Sequence, residues 1–270
     1  MKIAVTGSRG RLGSVLITLG CIPLIGDIRG SELDDALRCE RPDVIIHCAA
    51  MTDVDKCETE VIEAASKNVA GTKSLLNRFN GKVVYISTDY IFDGVYGPYT
   101  EEAPPNPLGI YGWSKLGGEI VTRSHSADNL IVRTTMLYDA RPGNFVTTVA
   151  AKLRAGDTVF LPHTLYGSPT HIPALAADIL TAINRGEAGI LNLAGDVVLS
   201  RYQLGLNIAN ALNIDTNRVQ SSSLAPGIAT RPLRAGLKVG KAKRLGILTH
   251  ANYQDQLKEA VNGMETMEAR

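Results

Sequence analysis

The segment Lys2-Ile3-Ala4-Val5-Thr6-Gly7-Ser8-Arg9-Gly10-Arg11-Leu12-Gly13 decides the fold. A short apolar run typical of a buried strand leads directly into a Gly-x-x-Gly-x-x-Gly turn, and an apolar run over 12–17 continues as a helix. Glycines in this setting let the backbone approach a pyrophosphate, while free N–H groups and the helix dipole hold its charge. The segment therefore predicts a dinucleotide site, with contacts from Gly7, Arg9, Gly10, Arg11, Leu12 and Gly13.

Strands and helical patterns alternate after this segment, which is typical of a parallel doubly wound sheet. Apolar runs predict strands at 22–25, 44–48, 83–87 and 130–133. We predict an α/β fold: a Rossmann-like doubly wound parallel sheet over residues 1–138 and a smaller, mostly helical C-terminal substrate domain over 139–270. Residues from about 171 to 195 are expected to return to the sheet. Helical patterns lie at 32–40, 61–79, 145–155, 173–185, 202–212, 239–245 and 253–261.

A second motif combines a hydroxyl with a Tyr-x-x-x-Lys pair. Thr88 follows the strand ending at Ser87, and Tyr111 and Lys115 lie one long loop later. Because residues four apart share one helix face, the phenol and the ammonium can point into one cleft beside Thr88. These groups can move a proton onto a carbonyl oxygen while a cofactor delivers hydride. Taken alone, the Tyr-x-x-x-Lys pair also fits a solvated helix surface.

Composition excludes several classes of function. The 270 residues carry a net charge of +1, so the composition lacks the excess of basic residues that binding to nucleic acid or to an anionic membrane requires. No apolar run reaches the roughly 18 residues that span a bilayer, and the start reads as a strand rather than a signal peptide. The four cysteines lack Cys-x-x-Cys spacing, which favours reduced thiols and a cytoplasmic location. No metal site is expected, since the histidines are scattered at His47, His125, His163, His171 and His250.

The chain resembles the extended short-chain dehydrogenase/reductases, and more narrowly the dTDP-4-dehydrorhamnose reductase family. The resemblance is dense over the first half of the chain and thin after about residue 170. It rests on the glycine-rich turn and on five further stretches: 41–50, 52–58, Ser87-Thr88-Asp89-Tyr90-Ile91-Phe92-Asp93-Gly94, 106–119 and 166–170.

The resemblance implies a reductase that transfers hydride from a nicotinamide cofactor to the 4-keto group of a nucleotide-linked deoxysugar, turning dTDP-4-dehydrorhamnose into dTDP-rhamnose. Thr88, Tyr111 and Lys115 then form the catalytic triad: Tyr111 donates the proton, Lys115 stabilises the phenolate and holds the nicotinamide ribose, and Thr88 binds the keto oxygen. Related dehydratases carry an Asp-Glu pair after the threonine. Here Asp89-Tyr90 follows it, which favours simple ketone reduction.

Cofactor choice depends on few residues. Asp27 lies roughly 20 residues after the first glycine, where a carboxylate binds the ribose hydroxyls of NAD. Gly26-Asp27-Ile28 also resembles a segment that occurs later in the family's sequences and packs beside the adenine. If that match is the right one, the second strand of this chain is truncated. Arg9, Arg11 and Arg29 are candidates for a 2′-phosphate or are solvated arginines, so NADP(H) is favoured slightly over NAD(H). The remaining predicted cofactor contacts are Asp27, Ile28, Arg29, Cys48, Ala49, Ala50, Thr52, Asn68, Ser87, Tyr111 and Lys115.

The predicted substrate contacts are Thr88, Asp89, Tyr90, Met136, Asn144, Phe145 and Arg231. Relatives usually have a tryptophan where Met136 stands, and its ring packs against the sugar. Some relatives form a dimer through magnesium, but Ser14-Val15 occupies one of the positions that supply acidic residues there. We therefore expect a monomer or a weak homodimer.

Two alternatives stay open. The β subunit of methionine adenosyltransferase has the same fold and very similar Asp-Tyr-x-Phe-Asp-Gly and Tyr-Gly-x-(Ser/Thr)-Lys regions, and it acts as an NADP-binding regulatory partner. The complete set of Thr88, Tyr111 and Lys115 favours an enzyme over that role. The other alternative is a reductase of a different 4-keto nucleotide sugar.

Overall fold

A computed structural model describes residues 1–223, 227–248 and 252–268. Pro226, in the loop predicted before residue 230, and His250 lie outside this part of the chain. Its strands are β1 (Ile3–Thr6), β2 (Ile22–Pro23), β3 (Val44–His47), β4 (Lys82–Thr88), β5 (Leu130–Thr134), β6 (Leu137–Tyr138), β7 (Val159–Pro162), β8 (Tyr166–Gly167), β9 (Thr170–His171), β10 (Gly189–Asn192), β11 (Leu199–Ser200) and β12 (Val219–Ser222).

The helices follow the predicted alternation. They are α1 (Arg11–Thr18), α2 (Glu32–Glu40), α3 (Val54–Thr59), α4 (Val61–Ala65), α5 (Gly71–Arg78), α6 (Ile110–His125), α7 (Phe145–Arg154), α8 (Ile172–Asn184), α9 (Arg201–Ala211), α10 (Gly240–Arg244) and α11 (Tyr253–Glu268). A π-helical turn, Ser66–Ala70, joins α4 to α5, so the helix predicted at 61–79 is irregular in its middle. Short 3₁₀ turns lie at Asp89–Ile91 and Thr216–Arg218.

Six parallel strands form the central sheet in the order β10-β5-β4-β3-β1-β2. The inner strands β3 and β5 are buried along their whole length and mostly apolar, as expected of strands covered on both faces. The predicted α/β fold with a Rossmann-like parallel sheet is confirmed. After α8, strand β10 pairs with β5, with Ile190 opposite Ile131.

A second core lies in the C-terminal half, where α7, α9 and α11 pack together and against β7 and β12. Two of these helices begin at capping boxes: Asn144 bonds the backbone of Thr147, and Ser200 bonds that of Gln203. β7 and β12 pair in parallel, so this half contains strands as well as helices. The division at residue 138 stays a prediction.

The second strand of the sheet is very short. β2 spans two residues and lies at the edge, where Pro23 costs no ladder hydrogen bond. The chain then turns at Gly26, whose φ of 123° favours glycine. Asp27 therefore sits in a loop directly after a truncated strand.

Candidate active site

A cavity of about 540 Å³ opens at the carboxyl ends of the sheet strands, where α/β folds bind their ligands. Most of the residues predicted from the sequence meet in its wall. They are Gly7, Gly10, Arg11, Leu12, Gly13, Cys48, Ala50, Thr52, Ser87, Thr88, Asp89, Tyr90, Tyr111, Lys115 and Met136. The predicted residues outside the wall are Arg9, Asp27, Ile28, Arg29, Ala49, Asn68, Asn144, Phe145 and Arg231.

The glycine-rich turn forms a cradle that side chains would fill. Gly7 has a φ of 66°, and a Cβ there would approach the backbone nitrogen of Ala49 to 2.7 Å. A Cβ on Gly13 would collide with the carbonyl oxygen of Gly7. Gly10 is the N-cap of α1. The backbone N–H groups of the first turn have no partner within the helix, and this end of the helix borders the cavity. This cradle fits the pyrophosphate of a dinucleotide.

Two buried hydroxyls at the strand ends lack a partner within the described residues. They are Ser87 Oγ on β4 and Thr134 Oγ1 on β5, and both residues line the cavity. Buried polar atoms nearly always find a hydrogen-bond partner, so these two favour a polar ligand group beside them. Together with the cradle, they fit a nicotinamide dinucleotide.

Thr88 is the last residue of β4 and lies at the floor of the cavity. Its Oγ1 accepts the N–H of Tyr90 at 3.2 Å, which caps the 3₁₀ turn that follows the strand. The same hydroxyl lies 3.3 Å from Asp89 Oδ1, to which it donates. A strand end and a capped turn thus hold Thr88 in place.

Tyr111 stands in the first turn of α6. The carboxylate of Glu58 accepts the N–H of Ile110 at 2.7 Å and so fixes the start of this helix. The ring of Tyr90 meets that of Tyr111 edge to face, with centroids 5.5 Å apart. Burial raises the pKa of the Tyr111 phenol above its ordinary value, and hydrogen bonding with the Thr88 hydroxyl opposes that rise.

Lys115 lies one turn beyond Tyr111 and is 3% exposed. Its Nζ is 4.2 Å from the centroid of the Tyr85 ring, a cation–π contact. Burial lowers the pKa of Lys115 to about 8, against the opposing charge of Glu119. The ammonium therefore stays mostly protonated at neutral pH and can stabilise a nearby phenolate.

Asp89 is a buried carboxylate beside Thr88, with 2% exposure. Burial raises its pKa to about 6, more than hydrogen bonds from Thr135 and Thr88 and the charge of Arg201 lower it. Its acid form is therefore present near neutral pH.

Arg201 is a cavity residue that our sequence analysis missed. It is the first residue of α9, lines the cavity, and places its guanidinium carbon 4.6 Å from the centroid of the Phe145 ring. Its charge acts on both Asp89 and Tyr90. The capping box at Ser200 marks the helix start in the sequence, but nothing there shows that this end faces the cavity.

Arg231 and Asn144 already have protein partners. Arg231 Nη2 pairs with Asp55 Oδ2 at 2.6 Å, and the Arg231 side chain also donates to the carbonyl oxygen of Ala229 at 3.3 Å. The Asn144 amide donates to the carbonyl oxygens of Asp139 and Arg141, both at 2.9 Å. Arg231 lies outside the cavity wall, and Asn144 caps the start of α7. Substrate contact by either stays a prediction.

The arginines considered for cofactor choice have different surroundings. Arg29 is paired with Asp27 at 2.8 Å, and hydrogen bonds from Arg29 lower the pKa of Asp27 to about 2. Arg11 pairs with Asp139 at 2.8 Å, which draws it toward the C-terminal half. Arg9 is exposed.

Two further predicted cofactor residues have structural contacts. Asn68 is buried and joins the loop after β3 to α6, because its amide donates to Met51 O at 3.0 Å and to Ser114 Oγ at 2.8 Å. Burial raises the pKa of the Cys48 thiol to about 12, so it stays neutral in the cavity wall.

The described residues contain no group of three or more His, Cys, Asp and Glu placed to hold a metal. None of the helices in that part of the chain is long and apolar enough to cross a membrane.

The family model described as "RmlD substrate binding domain" matches residues 1–266. The chain belongs to this family. It is 30% identical to a dTDP-4-dehydrorhamnose reductase of Mycolicibacterium smegmatis, covering 96% of this chain and 85% of that protein. Membership of the RmlD family confirms the predicted resemblance to the dTDP-4-dehydrorhamnose reductases.

Two further similar proteins are a reductase of known structure and a regulatory subunit of the kind considered above as the alternative. The crystal structure of a dTDP-4-dehydrorhamnose reductase from Bacillus anthracis in complex with NADP superposes with a TM-score of 0.89 at 28% identity, covering 97% of this chain and all of that one. The chain is also 26% identical to methionine adenosyltransferase 2 subunit beta of Mus musculus, over 96% of this chain and 87% of that protein.

Proposed function

We propose that this protein is an NAD(P)H-dependent oxidoreductase that reduces the 4-keto group of a nucleotide-linked deoxysugar, dTDP-4-dehydrorhamnose, to give dTDP-rhamnose. The observation that carries the proposal is the meeting of Thr88, Tyr111 and Lys115 in one cavity beside a phosphate cradle. The complete set of Thr88, Tyr111 and Lys115 favours an enzyme over a regulatory subunit.

The residues divide the work of the reaction. Gly7 to Gly13 would hold the pyrophosphate, and the bound nicotinamide cofactor supplies hydride. Tyr111 donates its phenolic proton to the keto oxygen. Lys115, held cationic at neutral pH, stabilises the phenolate that remains. Thr88 orients the keto oxygen from the end of β4.

The finer parts of the proposal follow the sequence. NADP(H) is favoured slightly over NAD(H), because Arg29 stands at the adenine end and a crystallised relative binds NADP. We propose a monomer or weak homodimer located in the cytoplasm, with residues 1–138 binding the cofactor and 139–270 mainly binding the sugar nucleotide.

The test is an oxidation assay with the purified full-length chain, NADPH or NADH, and a panel of 4-keto-6-deoxy nucleotide sugars. We expect the cofactor absorbance to fall with dTDP-4-dehydrorhamnose, and with NADPH at least as well as with NADH. Tight cofactor binding without turnover of any sugar would contradict the enzyme and favour the regulatory role.

A further inference from the structure

Arg201 is a cation in the cavity wall that no carboxylate neutralises by direct contact. Among the residues that the structure describes, the cations of this wall are Arg11, Lys115 and Arg201. Arg11 pairs with Asp139 at 2.8 Å, and the Lys115 ammonium lies 4.2 Å from the centroid of the Tyr85 ring. In the same part of the chain, the Arg201 guanidinium forms neither an ion pair nor a hydrogen bond. Its N–H donors are therefore available to a ligand.

The backbone at Arg201 is held in place from two sides. Its N–H donates to the carbonyl oxygen of Leu165 at 3.0 Å, and Ser200 just before it pairs with Tyr166 between β8 and β11. The Ser200 hydroxyl accepts the N–H of Gln203 at 3.1 Å within the capping box of α9. These bonds fix the point at which the Arg201 side chain leaves the backbone beside the cavity.

The side chain of Arg201 is positioned by an aromatic ring rather than by an anion. Its guanidinium carbon lies 4.6 Å from the centroid of the Phe145 ring, a contact that uses none of the N–H donors. The charge of Asp89 acts on Arg201, although the two form no ion pair. Burial lowers the pKa of Arg201, as expected of a cation that its surroundings do not fully compensate. The wall therefore holds a fixed positive charge that an anion would stabilise.

Arg201 and the phosphate cradle lie on opposite sides of Thr88. Strand β1, which leads into the cradle, is separated from β4 by β3, whereas β5 lies on the other side of β4. The chain after β5 reaches Met136, which lies against Gly167 in β8. β8 pairs with β11, and Arg201 follows β11 directly. An anion bound at Arg201 is therefore separate from the pyrophosphate of a cofactor in the cradle.

We propose that Arg201 binds the diphosphate of the sugar nucleotide, an inference that rests on the proposed reductase function. The diphosphate is the charged group of that substrate, and a guanidinium matches phosphate oxygens with two parallel hydrogen bonds. In a pyranose ring, C1 carries the diphosphate and lies across the ring from C4. A 4-keto group held at Thr88 and Tyr111 therefore directs the diphosphate away from the reacting atoms. Arg201 then orients the keto group through the far end of the sugar.

This assignment differs from the arginine predicted from the sequence. Arg231, among the predicted substrate contacts, lies outside the cavity wall and is paired with Asp55 at 2.6 Å. Using Arg231 for a phosphate would require breaking that ion pair, whereas Arg201 has none to break. The specificity for a nucleoside diphosphate is thus assigned to the start of α9.

The first test measures binding without turnover, by calorimetric titration of the NADP-loaded full chain with dTDP and with thymidine. We expect the wild type to bind dTDP at least about 30-fold more tightly than thymidine. Arg201→Gln should lose about this factor for dTDP and nothing for thymidine, and Arg201→Lys, which keeps the charge without the fork, should lose less. Arg244→Gln, a change at an exposed arginine of α10, is the matched control and should bind both ligands as the wild type does.

The second test separates substrate binding from general damage to the site. Steady-state kinetics of Arg201→Gln should show a KM for the sugar nucleotide raised by about 30-fold, with a smaller change in kcat. The affinity for NADPH should stay unchanged, because the cofactor phosphates lie on the other side of β4. A structural role for Arg201 would instead weaken dTDP, thymidine and NADPH together, and that result would overturn the inference.

The outcomes distinguish this inference from the function on which it rests. Sugar reduction with an unchanged KM in Arg201→Gln would overturn the role of Arg201 and leave the reductase intact. Selective loss of dTDP binding in Arg201→Gln, together with a wild type that reduces no sugar, would support the diphosphate contact and remove the reductase. If Arg201→Gln does not fold, the wild type and Arg201→Lys still decide. Equal affinity of the wild type for dTDP and thymidine would overturn the inference.

Discussion

The two ends of the proposed cofactor site use charge in opposite ways. At the catalytic end Lys115 and Asp89 are almost fully buried, and burial shifts the pKa of each toward neutral pH. At the adenine end Asp27 and Arg29 keep 48% and 34% of their side chains exposed and neutralise one another. Pairing, rather than burial, lowers the pKa of Asp27 to about 2.

The difference follows from the elements that carry each end. Thr88 ends a strand of seven residues, and Tyr111 and Lys115 stand on a helix of sixteen. Asp27 and Arg29 lie in a loop after a strand of two residues. Rigid elements hold catalytic groups close to their working geometry, whereas an exposed ion pair contributes little to stability and can exchange partners. Changes at the catalytic end should therefore cost turnover, and changes at the adenine end should alter cofactor choice.

The largest effect is expected for Tyr111→Phe. This change removes the proton donor but leaves the phosphate cradle and Lys115 in place. We expect turnover to fall by about 10²- to 10⁴-fold while cofactor affinity stays nearly unchanged. Steady-state kinetics with dTDP-4-dehydrorhamnose and cofactor titration by fluorescence measure the two quantities separately.

Two further variants serve as a control and a comparison for Tyr111→Phe. Tyr96→Phe removes a phenol that is 85% exposed and should leave both turnover and affinity unchanged. Lys115→Met should damage both, because the ammonium serves the phenolate and the cofactor ribose. Retention of more than about a tenth of the wild-type rate in Tyr111→Phe would show that another group donates the proton.

A smaller effect is expected at the adenine end, on the choice between NADPH and NADH. In Arg29→Ala the Asp27 carboxylate loses its partner, so it should repel a 2′-phosphate and weaken NADPH binding by about tenfold, with less change for NADH. Asp27→Asn removes the negative charge nearest Arg29, which keeps its contacts with Ser66 and Glu63, and should strengthen NADPH binding. Calorimetric titration with each cofactor measures both changes.

The control for the ion pair is Arg38→Ala, which breaks an exposed Arg–Asp pair on α2. It should affect neither cofactor. If Arg29→Ala weakens both cofactors equally, or if the wild type binds NADH much more tightly, arginine does not decide the preference. Arg9→Ala then tells whether the other exposed candidate does.

What the sequence predicted well depends on local patterns. The strand, turn and helix around Gly7 and the shared face of Tyr111 and Lys115 follow from residue spacing alone, and the structure places these residues around one cavity. Their chemical roles stay predictions. Spacing could not reveal Arg201, because packing of the C-terminal half brings the start of α9 to the cavity.

The same limit applies to partners that are distant in sequence. Asp139 engages Arg11, and Asp55 engages Arg231, so each of these arginines is held by a carboxylate from the other half of the chain. The raised pKa of Asp89 is likewise set by burial, which no single residue pattern encodes.

The smallest predicted effect concerns Met136, which borders the catalytic end but packs against the C-terminal core. Its side chain lies against Gly167, where a Cβ would collide with the Met136 sulfur. If this thioether replaces a flat aromatic wall, the site loses about 0.5–1.5 kcal/mol of stacking on the sugar. Met136→Trp should then raise kcat/KM for dTDP-4-dehydrorhamnose by up to about tenfold, measured across the sugar panel.

The backbone conformation at Met136 does not bias the comparison of methionine with its tryptophan and leucine variants. Its φ of 47° is left-handed and costs about 1–2 kcal/mol for any residue with a Cβ, so methionine, tryptophan and leucine bear the same strain. Met136→Leu conserves volume without adding a flat face, and it should leave the ranking of sugars unchanged. A tryptophan variant that folds stably but changes kcat/KM for no sugar would show that Met136 only fills the core, and that the sugar ring lies against another wall of the cavity.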